Sequence, residues 1–264
     1  WKLKPGSGGL VTALLPVLRN RGGIWIGWPG VHEEIPDSES VFAEAARGAG
    51  YTLKPVPLTK EEVDNYYHGY SNESIWPLFH DLQSECRFDP DYWHTYVKVN
   101  HKFAQALLED CRPDDFVWVH DYQLMDVAHH LRDGGFTAEV AFFLHIPFPS
   151  PDIFLKLPER QAVLSSLLSY DLVGFQTLRD RRNFVQCVRM LTKSASIRVH
   201  RQLHVIHLDD REIRVGNFPI GIDAANFATR AGAPEVAEKA AGFRQHYEDS
   251  QIVLGVDRLD YTKG

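Results

Sequence analysis

Residues 116–145 read FVWVHDYQLMDVAHHLRDGGFTAEVAFFLH, and residues 146–176 continue IPFPSPDIFLKLPERQAVLSSLLSYDLVGFQ. Three short apolar runs, 116–120, 139–144 and 172–175, are rich in Val and Phe and end at polar or turn residues, as buried strands do. Helical spacing of apolar residues predicts helices over 123–132, stopped by Gly134-Gly135, and over 152–168. Strand–helix–strand alternation at this interval needs crossover connections, so a parallel sheet with helices on both faces is expected.

The pattern extends outward. Residues 24–28 form an apolar strand candidate, and 51–58 a weaker one interrupted by Pro55 and Pro57. Thr59-Lys60-Glu61-Glu62 is a capping box with acids in the first turn. Helices are expected over 92–110, ended ahead of Pro113, and over 178–191, followed by short strands at 204–207 and 213–216. Residues 224–234 read as loop, 235–247 as amphipathic helix, and 251–256 as the first strand of a second α/β domain. This gives an N-terminal domain over 1–234 and a linker helix plus the beginning of a C-terminal domain over 235–264. The chain opens at Trp1 without a methionine and stops at YTKG, where a helix is due, which reads as a piece of a longer protein. No internal repeat is present.

Composition narrows the class. Hydrophobic residues at 44% and charged residues at 24% supply a core and exclude disordered or collagen-like architecture. The 28 Lys and Arg against 35 Asp and Glu give a net charge of −7, which argues against a general nucleic-acid or anionic-membrane binder. A local cationic pocket for a phosphorylated small molecule remains compatible. No apolar run approaches the length of a membrane helix. Cys86, Cys111 and Cys187 form no CxxC pair, so neither a zinc ribbon nor a disulfide framework is indicated, and a reducing cytosolic compartment fits best.

Ligands of open parallel sheets bind beyond the carboxyl ends of the strands. The residues there are His120 and Asp121, His145, Gln176, and, after the last apolar run, Asp257, Arg258 and Lys263. Each has an ordinary structural alternative: Asp121 as a helix cap, His145 as a core histidine, Arg258 and Lys263 as surface charges. Their coincidence on one rim favours a site. Gly8-Gly9 precede a helical run and could offer amides to a phosphate, though an ordinary cap is the commoner use. Tyr67, Tyr70 and residue 74 share a face on an α-helix, with ligand roles plausible for Tyr67 and Trp76. His129-His130 read as a solvated helix face, and neither a metal site nor a P-loop or GxSxG elbow is supported.

In order along the chain stand GGL (8–10), WIGWPG (25–30), YSNESIWPLFH (70–80), VWVHDYQLM (117–125), FFLHIPFPSPDIF (142–154), DLVGFQT (171–177), PIGID (219–223) and VDRLDYTKG (256–264). Together they resemble the trehalose-6-phosphate synthases, retaining glycosyltransferases of the two-domain, Rossmann-like GT-B architecture. The resemblance implies transfer of glucose from UDP-glucose to glucose 6-phosphate without a metal or other cofactor, in the cytoplasm, with no nucleic-acid or membrane partner and with a homo-oligomer admissible. It implies that Gly8 and Gly9 approach the donor diphosphate through backbone amides. Trp28, Tyr67, Trp76 and Asp121 line the acceptor side, His145 bonds the transferred glucose, and Arg258 and Lys263 hold the departing diphosphate. An arginine that the family carries upstream has no counterpart here, and a chain ending at Gly264 is expected to be inactive alone. Two alternatives stand beside this reading: a synthase that uses glycerol 3-phosphate as acceptor, and a non-catalytic regulatory paralogue.

Overall fold

The computed structural model describes residues 9–256 and 261–263. In chain order the elements are α1 (Gly9–Arg21), β1 (Ile24–Gly27), α2 (Ser38–Ala45), β2 (Thr52–Pro55), α3 (Lys60–Glu62), a wide π-type helix (Val63–Ile75), α4 (Trp76–Phe79) and α5 (Pro90–Asp110). Then follow β3 (Val117–His120), α6 (Val127–Asp133), β4 (Val140–Leu144), α7 (Pro151–Phe154), α8 (Arg160–Leu167), β5 (Leu172–Phe175) and α9 (Leu178–Leu191). The remainder is β6 (Ser196–His200), β7 (Leu203–Leu208), β8 (Arg211–Asn217), α10 (Ala224–Ala231) and α11 (Pro234–His246).

The apolar runs pair as the alternation requires. Strands β3, β4, β5 and β8 are parallel neighbours, and β7 and β6 extend the sheet antiparallel, in the order β3-β4-β5-β8-β7-β6. Strands β1 and β2 pair in parallel as a separate ribbon. All five residues of β4 are buried, as expected of a strand with parallel neighbours on both sides and helices on both faces. The sheet therefore fixes the carboxyl ends of β3 and β4 side by side, with His120 opposite Phe143.

Local chemistry explains the helix starts. Thr59 accepts from the Glu62 N–H while the Glu62 carboxylate accepts from the Thr59 N–H, completing the capping box. Asp89 caps α5 ahead of Pro90, and Thr177 caps α9 by accepting from the Asp180 N–H. In β5 and β8, Gly174 and Gly216 face each other, and a Cβ on Gly216 would lie 2.5 Å from the Phe218 ring. Only glycine leaves room for that ring beside the sheet.

Four sequence expectations about local structure need correction, and one strand carried no signal. The helix over 123–132 begins later, at Val127, because Tyr122–Leu124 form a 3-10 turn whose carbonyls are taken by side chains, those of Tyr122 and Gln123 by Tyr96 and Asn100 of α5 and that of Leu124 by Tyr170. The helix over 152–168 divides into α7 and α8 around Pro158, which has no N–H to continue it. The segment 224–234 contains a helix, α10, nucleated by Asp223, whose carboxylate accepts from the Asn226 N–H. Strand β6 joins β7 through a tight turn in which Arg201 has φ 56°, a hairpin that carries no Gly to announce it. Residues 251–256 make no strand: Ile252, Val253, Leu254 and Val256 are exposed, because an apolar strand needs sheet partners and 220–256 contain none. The chain divides into two units after Pro219, ahead of the boundary read at 234. Among the described residues, no helix is long and apolar enough to cross a membrane.

At the opposite end of the sheet from His120 and His145, Asp171 accepts from Arg132 Nη2 at 2.5 Å, Arg211 Nη2 at 3.2 Å and the Val140 N–H at 2.8 Å. It ties α6, β4, β5 and β8 together. Asp171→Ala should cost about 2–3 kcal/mol, since it strands two partly buried guanidinium groups and an amide. Glu139→Ala, which removes only the exposed partner of Arg214, should cost less than about 0.5 kcal/mol. Urea unfolding of the two variants checks the contrast.

Candidate active site

The backbone leaves β3 through Asp121 with φ 74° and ψ 167°, a combination that non-glycine residues adopt at a cost of about 1–3 kcal/mol. Such strain persists only where the surroundings over-determine it. Here the Asp121 N–H donates to the Phe143 carbonyl at 2.8 Å, continuing the β3–β4 ladder past the strand end. One carboxylate oxygen, Oδ1, accepts from the Tyr122 N–H at 3.0 Å and from the His145 N–H at 3.2 Å. The next turn is held from behind by α5. Tyr96 donates its hydroxyl to the Tyr122 carbonyl and accepts from the Met125 N–H, while Asn100 donates to the Gln123 carbonyl and accepts from the Asp126 N–H.

His145 follows β4 directly, and its ring meets the ring of His120 with Nε2 3.1 Å from His120 Nδ1. Burial holds both imidazoles neutral: His145 is lowered to about 4, and His120 to about 3 with a further push from His145. Burial pushes the Asp121 carboxyl the other way, up to about 6, against the two amides that favour its charged form. A strained carboxylate that burial makes a reluctant anion, beside two uncharged imidazoles, can exchange hydrogen bonds with hydroxyl groups.

The remaining expected residues fall around this centre. Trp76 opens α4 and packs its ring on Tyr122 (centroids 5.6 Å apart) and on His80 (4.3 Å), so it stands one residue removed from Asp121. Tyr122 donates its hydroxyl to Asn72 in the π-type helix at 2.9 Å, binding that helix to the site. Tyr67, on the same helix, packs against Trp28 with centroids 5.4 Å apart. The Trp28 indole N–H is spent on the Val31 carbonyl, so this residue offers a ring face rather than a donor. Tyr67 and Tyr70 do not share a face as an α-helix would have it. The wider helix, whose end has the Trp76 N–H on the Ser71 carbonyl, buries Tyr70 against Trp93 and Tyr96 and leaves Tyr67 half-buried beside Trp28.

Gly9 does open a helix, and a Cβ there would meet nothing within 4 Å among the described residues. Gly8 and Arg258 lie outside the described residues, as does the side chain of Lys263. His130 differs from its expected solvated setting: its Nε2 lies 3.0 Å from Asp126 Oδ2, and this bond raises the imidazole above its ordinary value. Among the described residues no cluster of three or more His, Cys, Asp or Glu could hold a metal ion. The contributions of Tyr96, Asn100 and Asn72 had no sequence signal, since each acts across a long chain separation. His120 did stand on the expected rim but carried no assigned role.

A parallel α/β sheet with polar side chains gathered at adjacent carboxyl strand ends is the layout of an α/β ligand-binding domain, and similarity to known proteins narrows the class to glycosyltransferases. Residues 1–264 match the model of Glycosyltransferase family 20. The trehalose-6-phosphate synthase of Mycolicibacterium gilvum is 40% identical over 269 residues, covering 100% of this chain and 53% of the relative; that of Mycolicibacterium smegmatis is 40% identical, covering 100% and 52%. The α,α-trehalose-phosphate synthase (UDP-forming) of Burkholderia xenovorans, solved with glucose-6-phosphate, superposes with a TM-score of 0.83 at 30% identity, covering 97% of this chain and 56% of that one. An E. coli structure bound with UDP-2-fluoro glucose gives 0.81 at 32% identity, covering 98% and 56%. The chain belongs to glycosyltransferase family 20. It spans about half the length of the curated relatives it matches.

The raised carboxyl has a consequence for stability. An acid held more tightly protonated in the fold contributes fully below its unfolded value, and that contribution is lost as pH rises through about 6. In Asp121→Asn the carboxamide oxygen can still accept from both amides while carrying no charge. The variant should therefore match the parent at pH 4 and exceed it by about 2 kcal/mol at pH 8. Urea unfolding at the two pH values checks this, and equal differences at both would contradict it.

Proposed function

We propose that this chain is the acceptor-side part of a retaining glycosyltransferase that moves glucose from UDP-glucose to glucose 6-phosphate, releasing UDP and α,α-trehalose 6-phosphate. The observation that carries the reading is the pairing of Asp121 and His145 across the ends of β3 and β4. It is supported by relatives of this family solved with glucose-6-phosphate and with a UDP-2-fluoro glucose. Residues 235–264 are read as the linker helix and the beginning of the nucleotide-sugar domain, and residues 1–234 as the acceptor-side domain.

The chemistry follows from where charge grows. A retaining transfer passes through an oxocarbenium-like state while negative charge accumulates on the departing diphosphate. Arg258, Lys263 and the amides of Gly8 and Gly9 act on that charge, a guanidinium fork and an ammonium point charge being suited to a diphosphate. The acceptor attacks from the face the diphosphate leaves, and a leaving phosphate oxygen takes its proton. Asp121 and His145 fix sugar hydroxyls, and Trp28, Tyr67 and Trp76 line the acceptor side, with Tyr67 and Trp76 near its phosphate. No metal ion and no cofactor enters this scheme.

The test is turnover by the full-length gene product with UDP-glucose and glucose 6-phosphate, followed as UDP release. We expect turnover with glucose 6-phosphate, and a fall of about 10²-fold or more in kcat/KM for His145→Ala and for Arg258→Ala. Preference for glycerol 3-phosphate overturns the acceptor assignment, and silence with both acceptors overturns the enzymatic reading.

A further inference from the structure

His145 is fixed twice. Its N–H is held by Asp121, and its ring nitrogen Nε2 is occupied by His120 at 3.1 Å. Its other nitrogen, Nδ1, has no hydrogen-bond partner among the described residues. It is therefore the ring atom left to meet a substrate. What it offers depends on the proton between the two rings. Either His145 carries its proton on Nε2 and donates to His120 Nδ1, or His120 carries its proton on Nδ1 and donates to His145 Nε2. The first arrangement puts both rings in the Nε2–H form, the one neutral imidazole side chains prefer in water. The second puts both in the less favoured Nδ1–H form, because a neutral ring holds only one proton.

The His120 ring is packed between aromatic neighbours. Trp118 packs against it with centroids 4.5 Å apart, and Phe143 lies on the far side at 6.5 Å from it and 4.7 Å from the His145 ring. His120 ends β3 and pairs with Phe143, while His145 follows β4 by one residue and is tied to the end of β3 through its N–H on Asp121, so the sheet and that bond together set the spacing of the two rings. Besides each other, the only titratable group bonded to either of them among the described residues is Asp121, which reaches the His145 backbone and not its ring.

We propose that His120 is a positioning residue that accepts the Nε2 proton of His145 and thereby presents His145 Nδ1 as a bare acceptor to a hydroxyl of the bound sugar. The sugar rests on the function proposed above; the proton arrangement does not. His120 touches no substrate in this account and acts only through the neighbouring ring. Because burial keeps both rings neutral, with values near 3 and 4, the arrangement persists throughout the neutral range.

Long-range 1H–15N correlation of 15N-histidine-labelled protein reads the proton positions directly. His120 and His145 should both give the Nε2–H pattern, unchanged between pH 6 and 8. In His120→Phe, His145 should become a mixture of tautomers. In His120→Asn, whose Oδ1 is the same number of bonds from Cα as His Nδ1, the single Nε2–H pattern should return. In the full-length product, His120→Phe should lower kcat about tenfold with KM for glucose 6-phosphate unchanged, and His120→Asn should recover most of it. An Nδ1–H pattern at either ring, or equal losses in the Phe and Asn variants, overturns the proposal. An inactive full-length product overturns the function and leaves the histidine spectra to decide the pair on their own.

Discussion

One carboxylate oxygen joins the ends of two strands. Asp121 Oδ1 takes the amide of the next residue and the amide of His145 on the neighbouring strand, so the direction in which the chain leaves β3 and the position of the residue that ends β4 are set together. That junction requires a backbone conformation that costs free energy, and the cost is met by α5, whose Tyr96 and Asn100 occupy the backbone groups of the following turn. Tyr170 adds a third hold, donating its hydroxyl to the Leu124 carbonyl. The site is therefore built on the sheet but held in shape by a helix behind it.

Burial gives this junction its electrostatic character. The same desolvation that raises the Asp121 carboxyl lowers both histidines, so around neutral pH the centre contains one reluctantly ionised acid and two uncharged rings. Hydrogen bonds to sugar hydroxyls are strongest where water is scarce and unpaired polar atoms are few. Cationic groups that answer a diphosphate belong elsewhere in the proposed scheme, on Arg258 and Lys263.

How much of this could be read from residues alone differs by element. The strands 116–120, 139–144 and 172–175 were legible because a buried parallel strand is a nearly continuous apolar run, and the sheet rule then put Asp121 and His145 on one rim. The strain at Asp121 was not legible, since it arises from contacts with residues 96 and 100 that have no local spacing rule. Strand 251–256 was read as a strand because its composition is apolar, but pairing needs partners that its own unit does not supply. Helix α10 was missed although Asp223 and Asn226 carry a cap pattern, because the segment around them is rich in small residues and has no long apolar stripe. The π-type widening at Val63–Ile75 defeated a face assignment based on 3.6 residues per turn.

The central claim is that the junction of β3 and β4 is where a sugar is held. The most direct measurement is a crystal structure of the full-length product with glucose 6-phosphate and a non-transferable UDP-glucose analogue. The account predicts sugar hydroxyl oxygens about 2.6–3.2 Å from His145 Nδ1 and from the free oxygen of Asp121. Both sugars bound elsewhere, with these two side chains facing only water, would contradict it.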